Sequence, residues 1–138
     1  MKVSEVMTHD VKIASPQDSL RDAARMMEGI DAGALPVGEN DRLVGMLTDR
    51  DITLRAVARG KSPDECTVRE VMSSDIKYVF EDETVENAAK NMGDLQMRRL
   101  PVLDRKKRLV GIISLGDLAL KKTDSAGKAL KKVSEQVH

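Results

Sequence analysis

Aromatic side chains are almost missing from this chain of 138 residues: no tryptophan, one tyrosine (Tyr78) and one phenylalanine (Phe80). The stacking platforms that hold single-stranded nucleic acid are therefore nearly absent. An excess of charge is missing too, since 23 basic residues balance 23 acidic ones. That excludes the basic field of a general nucleic-acid binder. Cysteine occurs once, at Cys66, so no internal disulfide is possible, and the usage fits a reducing compartment. No apolar run approaches the ~20 residues of a membrane span, and the start lacks a signal-peptide pattern. The expectation is a cytoplasmic protein whose partners include neither nucleic acid nor membrane. His9 and His138 stand apart from any Cys, His or carboxylate cluster at ligand spacing, so no metal site is expected. Cys66 has no identifiable His partner, and no nucleophile, base and oxyanion-donor set can be assembled. No catalytic residue is assigned, and no enzyme is expected.

What the chain does have is a repeat. Val3-Ser4-Glu5-Val6-Met7 returns as Val68-Arg69-Glu70-Val71-Met72, and Leu35-Pro36-Val37 returns as Leu100-Pro101-Val102. Leu43-Val44-Gly45 through Asp51 returns as Leu109-Val110-Gly111 through Asp117, with one extra residue before this last block. The period is about 65 residues. Two units of this size are marginal alone, so they are expected to pack face to face and share a core.

Each unit reads as helical turn, strand, helix, strand, strand, helix. Val11-Lys12-Ile13-Ala14 alternates as a strand does, and residues 76–80 are its counterpart. Leu20, Ala23, Ala24 and Met27 form a helical stripe, repeated by Val85, Ala88, Ala89 and Met92. Asp18 or Ser19, and Glu83 or Thr84, stand where caps belong. Hairpins follow across residues 38–42 and 104–108, the second a basic run that reads as a solvated tip. The prolines in the strands before them imply edge positions or a local break in pairing. The eight methionines are packing residues. Boundaries fall at 1–59 for the first repeat, 60–66 for a linker, 67–122 for the second repeat and 123–138 for a tail. Ala126, Leu130, Val133 and Val137 make that tail a short amphipathic helix with Ser125 as its cap.

The chemistry concentrates in Gly45-x-x-Thr48-x-x-Asp51 and Gly111-x-x-Ser114-x-x-Asp117. Each places a hydroxyl and a carboxylate where a strand meets a helix start. Helix-start N–H groups and a hydroxyl suit phosphate, whereas an ionised Asp only accepts hydrogen bonds and suits ribose hydroxyls. Glycine in the strand admits either a ligand or another backbone. The same Ser/Thr-x-x-Asp spacing is that of a capping box, which needs no ligand. Both readings stay open on the residues alone.

The Leu-Pro-Val, Leu-Val-Gly and Gly-x-x-Thr/Ser-x-x-Asp blocks, in order and twice, resemble tandem cystathionine-β-synthase (CBS) domains, or a Bateman module. The resemblance covers about residues 1–121 and is greatest to small stand-alone bacterial CBS-pair proteins. It implies an α+β fold of two βαββα repeats about a pseudo-twofold axis, with a short C-terminal helix, two clefts between the repeats, and a homodimer. It implies an adenosine-containing regulatory ligand (AMP, ADP or ATP, with S-adenosylmethionine possible) and no required cofactor. Carried over, Asp51 and Asp117 hold ribose, and Thr48 and Ser114 face phosphate. Val11, Ile13, Ile76 and Tyr78 flank the base with backbone and apolar atoms.

The copies differ. The second has Arg98-Arg99 before Leu-Pro-Val where the first has Gly33-Ala34, and the first has Arg50 where the second has Gly116. Arginine presents a fixed fork of donors suited to phosphate. Arg50, Arg98 and Arg99 are therefore phosphate candidates, and the two clefts are expected to be unequal. Surface ion pairs are the plainer role for all three. The expected function is a non-enzymatic nucleotide sensor acting through an unidentified protein partner or the dimer. The alternative is an interaction scaffold with vestigial, empty clefts.

Overall fold

The computed structural model describes residues 1–121; the expected tail helix lies outside them. The described chain is mixed α+β. A 3-10 turn at Val3–Glu5 is followed by α1 (Leu20–Ile30), β1 (Ala34–Glu39), β2 (Arg42–Thr48), α2 (Asp49–Arg55) and a second 3-10 turn at Val57–Arg59. Then come α3 (Val68–Val71), β3 (Val79–Phe80), α4 (Val85–Leu95), β4 (Arg99–Leu103), β5 (Leu109–Ser114) and α5 (Leu115–Lys121).

The repeats along the chain and the compact units in space divide the molecule differently. One unit is contiguous, Lys12–Ile76; the other is split, joining Met1–Val11 to the stretch from Lys77 onward. The cause is visible in the matched Val-x-Glu-Val-Met turns. Val68 and Val71 are fully buried in a core with Ala14, Leu20, Met27, Leu35, Val37 and Leu47. Val3 and Val6 are buried with Val79, Val85, Met92, Leu100, Val102, Ile113 and Leu118. Each turn thus serves the unit built mainly from the other repeat. A fully buried valine contributes about 1.5–3 kcal/mol, enough to hold a short turn in place. The expectation of one shared core becomes two cores, one in each unit.

The helices follow their stripes closely. Ser19 caps α1 by accepting the Asp22 N–H at 3.1 Å, and Thr84 caps α4 by accepting the Asn87 N–H at 3.1 Å. Both helices end on a left-handed residue, Asp31 and Gln96. One member of the stripe departs: Ala89 is buried but its counterpart Ala24 is exposed.

The expected first strands are short. Ala14 makes one parallel bridge to Val37, Ile13 is 40% exposed, and only Val79 and Phe80 of residues 76–80 form a strand, parallel to Val102 and Leu103. The prolines have a clear account. Pro36 faces Met46, whose N–H and C=O go instead to Ser73 at 2.9 and 2.8 Å. Pro101 faces Ile112, which exchanges bonds with Thr8 at 3.0 and 2.8 Å. Neither proline therefore owes its partner strand a donor. Strand β4 is central in β3-β4-β5, so its proline is not at an edge, and the register shifts shortly beyond each one.

Candidate functional site

Each Gly-x-x-Thr/Ser-x-x-Asp segment forms the same junction, one in each unit. In the contiguous unit, Thr48 ends β2 and Asp51 lies in the first turn of α2. The Thr48 Oγ1 accepts the Asp51 N–H at 3.0 Å, and Asp51 Oδ2 accepts the Thr48 N–H at 3.0 Å. In the split unit, Ser114 Oγ accepts the Asp117 N–H at 3.1 Å and Asp117 Oδ2 accepts the Ser114 N–H at 3.0 Å. Both are reciprocal capping boxes, and all four residues are half-buried. The cap does not exhaust them. Each hydroxyl accepts in the cap and keeps its own hydrogen to donate, and each carboxylate keeps Oδ1, which takes no bond from a described residue. A donor for phosphate and an acceptor for a hydroxyl thus remain at each junction.

The motif glycines serve the chain itself. A Cβ at Gly45 would lie 2.8 Å from the Ser73 carbonyl oxygen and 2.8 Å from Met72 Sδ. One at Gly111 would lie 2.9 Å from the Thr8 oxygen and 2.6 Å from Met7 Sδ. Of the two roles left open by the sequence, close approach of another backbone is the one occupied. The segment that approaches is the one following each Val-x-Glu-Val-Met turn.

Around the caps the units diverge. Arg99 pairs in register with Ser114, so the two side chains share one face of the ladder about 5 Å apart at Cβ. The corresponding pair in the contiguous unit is Ala34 with Thr48. Arg98 is exposed, and its carbonyl accepts the Leu115 N–H at 3.0 Å. Gly33 occupies that position in the other unit and accepts the Asp49 N–H at 2.9 Å. Arg50 is exposed on α2, with its N–H bonded to Asp49 Oδ1 at 2.8 Å, and its counterpart Gly116 is exposed, where an added Cβ would lie 3.5 Å from Ser114 Oγ.

The base-flanking candidates distribute between the units. Val11 and Tyr78 belong to the unit holding Ser114 and Asp117; Ile13 and Ile76 belong to the unit holding Thr48 and Asp51. Val11, Ile76 and Tyr78 are half-buried. Tyr78 meets Phe80 edge to face at 5.4 Å, and the Arg105 guanidinium covers Phe80 at 4.1 Å from the ring centre. Arg105 is also paired with Asp82 at 2.8 Å, and Arg108 with Asp104 at 2.8 Å, so these arginines of the basic hairpin are engaged in surface ion pairs. Burial pushes the Cys66 thiol up from its ordinary value, aided by its neighbour Glu70. Among the described residues no group of three or more His, Cys, Asp and Glu is placed to hold a metal, and no helix is long and apolar enough to cross a membrane.

Sequence reasoning missed a groove of about 420 Å³ in the contiguous unit, lined by Glu28, Asp31 and Asp49 together with Ala24, Met27, Gly33, Ile52 and neighbours. Aligning the copies supplies the signal. The cap positions place Gly93, Gln96 and Leu115 opposite the three acids, so the charge is private to one unit.

The family model for the CBS domain matches residues 3–57 and 68–124. The CBS domain-containing protein YhcV of Bacillus subtilis is 42% identical over 136 residues, 97% of this chain and 96% of its own. The crystal structure of Hypoxic Response Protein I with two coordinated zinc ions is similar with a TM-score of 0.80 and 36% identity, covering 88% of this chain and 98% of that one. The CBS domain pair of protein MJ0100, in complex with 5-methylthioadenosine and S-adenosyl-L-methionine, is similar with a TM-score of 0.74 and 27% identity over 87% of this chain and 94% of that one.

Proposed function

Because the chain belongs to the CBS-domain family and carries two such domains in tandem, we propose that it is a non-enzymatic regulatory module for an adenosine-containing ligand. The observation that carries this is the residual chemistry of the two caps. A hydroxyl hydrogen and a carboxylate oxygen remain available side by side at both junctions. Asp51 and Asp117 take ribose hydroxyls, and Thr48 and Ser114 donate to phosphate. Val11, Ile13, Ile76 and Tyr78 lie against the base. The binding of 5-methylthioadenosine and S-adenosyl-L-methionine by the MJ0100 pair supports the class of ligand.

The two junctions take different members of that class. Arg99, in register with Ser114 and seconded by Arg98, gives the split unit a phosphate-binding fork, so AMP, ADP or ATP binds there. The contiguous unit offers Ala34 in that place and has Arg50 as its nearby cation. Its preference falls toward ligands with fewer phosphates, S-adenosylmethionine included. The protein acts in the cytoplasm as a homodimer, requires no cofactor for its fold, and passes its signal to a protein partner. Signalling requires that the ligand bind two arrangements with different affinity.

One observation favours a second reading, a scaffold with empty sites. The caps account for Thr48, Asp51, Ser114 and Asp117, and backbone approach accounts for Gly45 and Gly111, without any ligand. A thermal-shift and calorimetric panel with AMP, ADP, ATP, S-adenosylmethionine and 5-methylthioadenosine separates the two. A ligand at a hundred times its dissociation constant stabilises the fold by about 2.7 kcal/mol. Asp117→Asn retains an oxygen for the cap but loses the second carboxylate oxygen. It should keep the unliganded stability and lose most of the nucleotide shift, while Arg99→Ala weakens nucleotides more than 5-methylthioadenosine. If no ligand shifts the wild type, the scaffold is the better description.

A further inference from the structure

Tyr78 and Phe80 are the only aromatic residues of the chain, and both belong to the split unit. Two residues apart in an extended segment, they fall on one side of it, and their rings meet edge to face at 5.4 Å. Edge-to-face contact is a preferred geometry for a ring pair, and it leaves Tyr78 at least one face that Phe80 does not cover. Phe80 in turn carries the Arg105 guanidinium, 4.1 Å from its ring centre. That guanidinium is held by a fork: its Nε and Nη2 donate to the two carboxylate oxygens of Asp82, each at 2.8 Å. The Asp82 carboxyl lies below its ordinary value, chiefly through the side-chain hydrogen bonds from Arg105. An exposed ion pair contributes little as a rule, but bidentate geometry of this quality is the exception. Only arginine supplies both the fork and a flat face for the ring.

The rings share a sheet face with the cap. Phe80 lies in register with Leu103, and Leu103, Pro101 and Arg99 alternate onto one face of β4. Arg99 pairs with Ser114 on β5. Val79, Leu100, Val102 and Ile113 take the opposite face and are fully buried in the core. On strand spacing and rise, the Tyr78 and Ser114 positions are roughly 12 Å apart, the scale of a nucleotide from base to phosphate. The contiguous unit keeps the loop-to-hairpin contact but not the rings. Ile13 and Ser15 stand at the places of Tyr78 and Phe80, and Ile13 is 40% exposed. Gln17, at the place of Asp82, donates to Glu39 of the hairpin at 3.2 Å.

We propose that Phe80, Arg105 and Asp82 are positioning residues for the base of the ligand in the split unit. Asp82 fixes Arg105, Arg105 and Phe80 fix the Tyr78 ring, and Tyr78 presents its uncovered face to the adenine of a nucleotide held at the Ser114/Asp117 junction. This role rests on the reading of the caps as nucleotide sites. It adds what the caps do not supply, a rigid platform that tells a nucleotide from a sugar phosphate without a base. The contiguous unit has no such platform, so the base is gripped unequally in the two units.

Arg105 and Asp82 are exposed, so replacing Arg105 leaves the core intact. The test is a backbone amide titration with AMP and with ribose 5-phosphate, read at Ser114 and Asp117 for the split unit and at Thr48 and Asp51 for the contiguous one. Arg105→Ala should weaken AMP about three- to tenfold at Ser114 and Asp117. Ribose 5-phosphate should be unaffected there, and Thr48 and Asp51 should respond as in the wild type. Arg105→Lys keeps a cation but not the fork and should recover part of the loss. Tyr78 is the sole tyrosine and no tryptophan masks its emission, so acrylamide should quench the free Arg105→Ala protein more readily than the wild type. Equal weakening of AMP and ribose 5-phosphate, equal weakening at both junctions, unchanged AMP affinity or unchanged quenching each overturns the positioning role. If AMP moves no amide at either junction of the wild-type protein, the caps are not nucleotide sites and the role falls with them. Wild-type AMP binding that is indifferent to Arg105 sinks this role alone.

Discussion

Replacing Gly45 by alanine separates a glycine kept for a ligand from one kept for the chain. The added Cβ would sit 2.8 Å from the Ser73 carbonyl oxygen and 2.8 Å from Met72 Sδ. The thioether can swing aside. The carbonyl cannot, because it accepts the Met46 N–H at 2.9 Å while the Ser73 N–H donates back at 2.8 Å. Overpacking of this kind costs about 1–3 kcal/mol. Stretching the paired bonds forfeits part of about 1 kcal/mol each. A compatible Gly→Ala change returns about 0.4–1 kcal/mol through the unfolded chain. The net expectation is a loss of about 2 kcal/mol, or a fall of about 8 °C in the unfolding midpoint for a chain of this size. Gly29→Ala is the control: it lies inside α1 with nothing within 4 Å of its Cβ, and it should stabilise by about 0.5–1 kcal/mol. Differential scanning calorimetry without ligand reads both. A Gly45→Ala midpoint at or above wild type would refute the backbone role, and a loss seen only in the ligand-induced shift would return the glycine to the ligand.

Ser19→Ala and Thr84→Ala each remove an N-cap acceptor and should each cost about 1 kcal/mol in urea unfolding, additively because they sit in different units. The Glu70 carboxyl is held below its ordinary value, first by the Thr67 backbone N–H and then by the Cys66 and Thr67 side chains. Its folded state thus favours the ionised form, and the stability it supplies is present above the usual glutamate range and lost as pH falls through the depressed value. Glu70→Gln should flatten the acid limb of a stability-versus-pH curve without removing it, since Asp82 and Asp104 are lowered as well. Cys66 is 4% exposed and its thiol is shifted up, so iodoacetamide at neutral pH should label it only in denaturant.

Much of the fold was legible because periodicity and caps are local. The α1 and α4 stripes, the Ser19 and Thr84 caps, the hairpins and the Thr48/Asp51 and Ser114/Asp117 junctions all lie where spacing puts them. Ala24 broke its stripe because periodicity finds a helical face but not which part of it a neighbour covers. Residues 11–14 alternate as a strand, yet tertiary pairing supplies only the Ala14 bridge and leaves Ile13 exposed. The exchange of Val-x-Glu-Val-Met turns was invisible for a related reason. Val3 and Val68 open the same Val-x-Glu-Val-Met pattern, so local sequence cannot say which core receives which. The capping geometry could be expected, but whether Gly45 served a ligand or a backbone required knowing that Ser73 passes beside it. The acidic groove escaped notice because its three acids come from two separate helices and become a group only when those helices pack.

The split unit has a consequence for biosynthesis. Val3 and Val6 are translated before the Lys12–Ile76 stretch, but Leu100, Val102, Ile113 and Leu118 of their core are translated after it. The Lys12–Ile76 stretch, by contrast, contains all of its own core and is complete once Ile76 is made. Domains fold as units during synthesis at about 5–20 residues per second, so the opening segment waits several seconds with its valines uncovered. The contiguous unit can therefore finish folding while the split unit still waits for its second part.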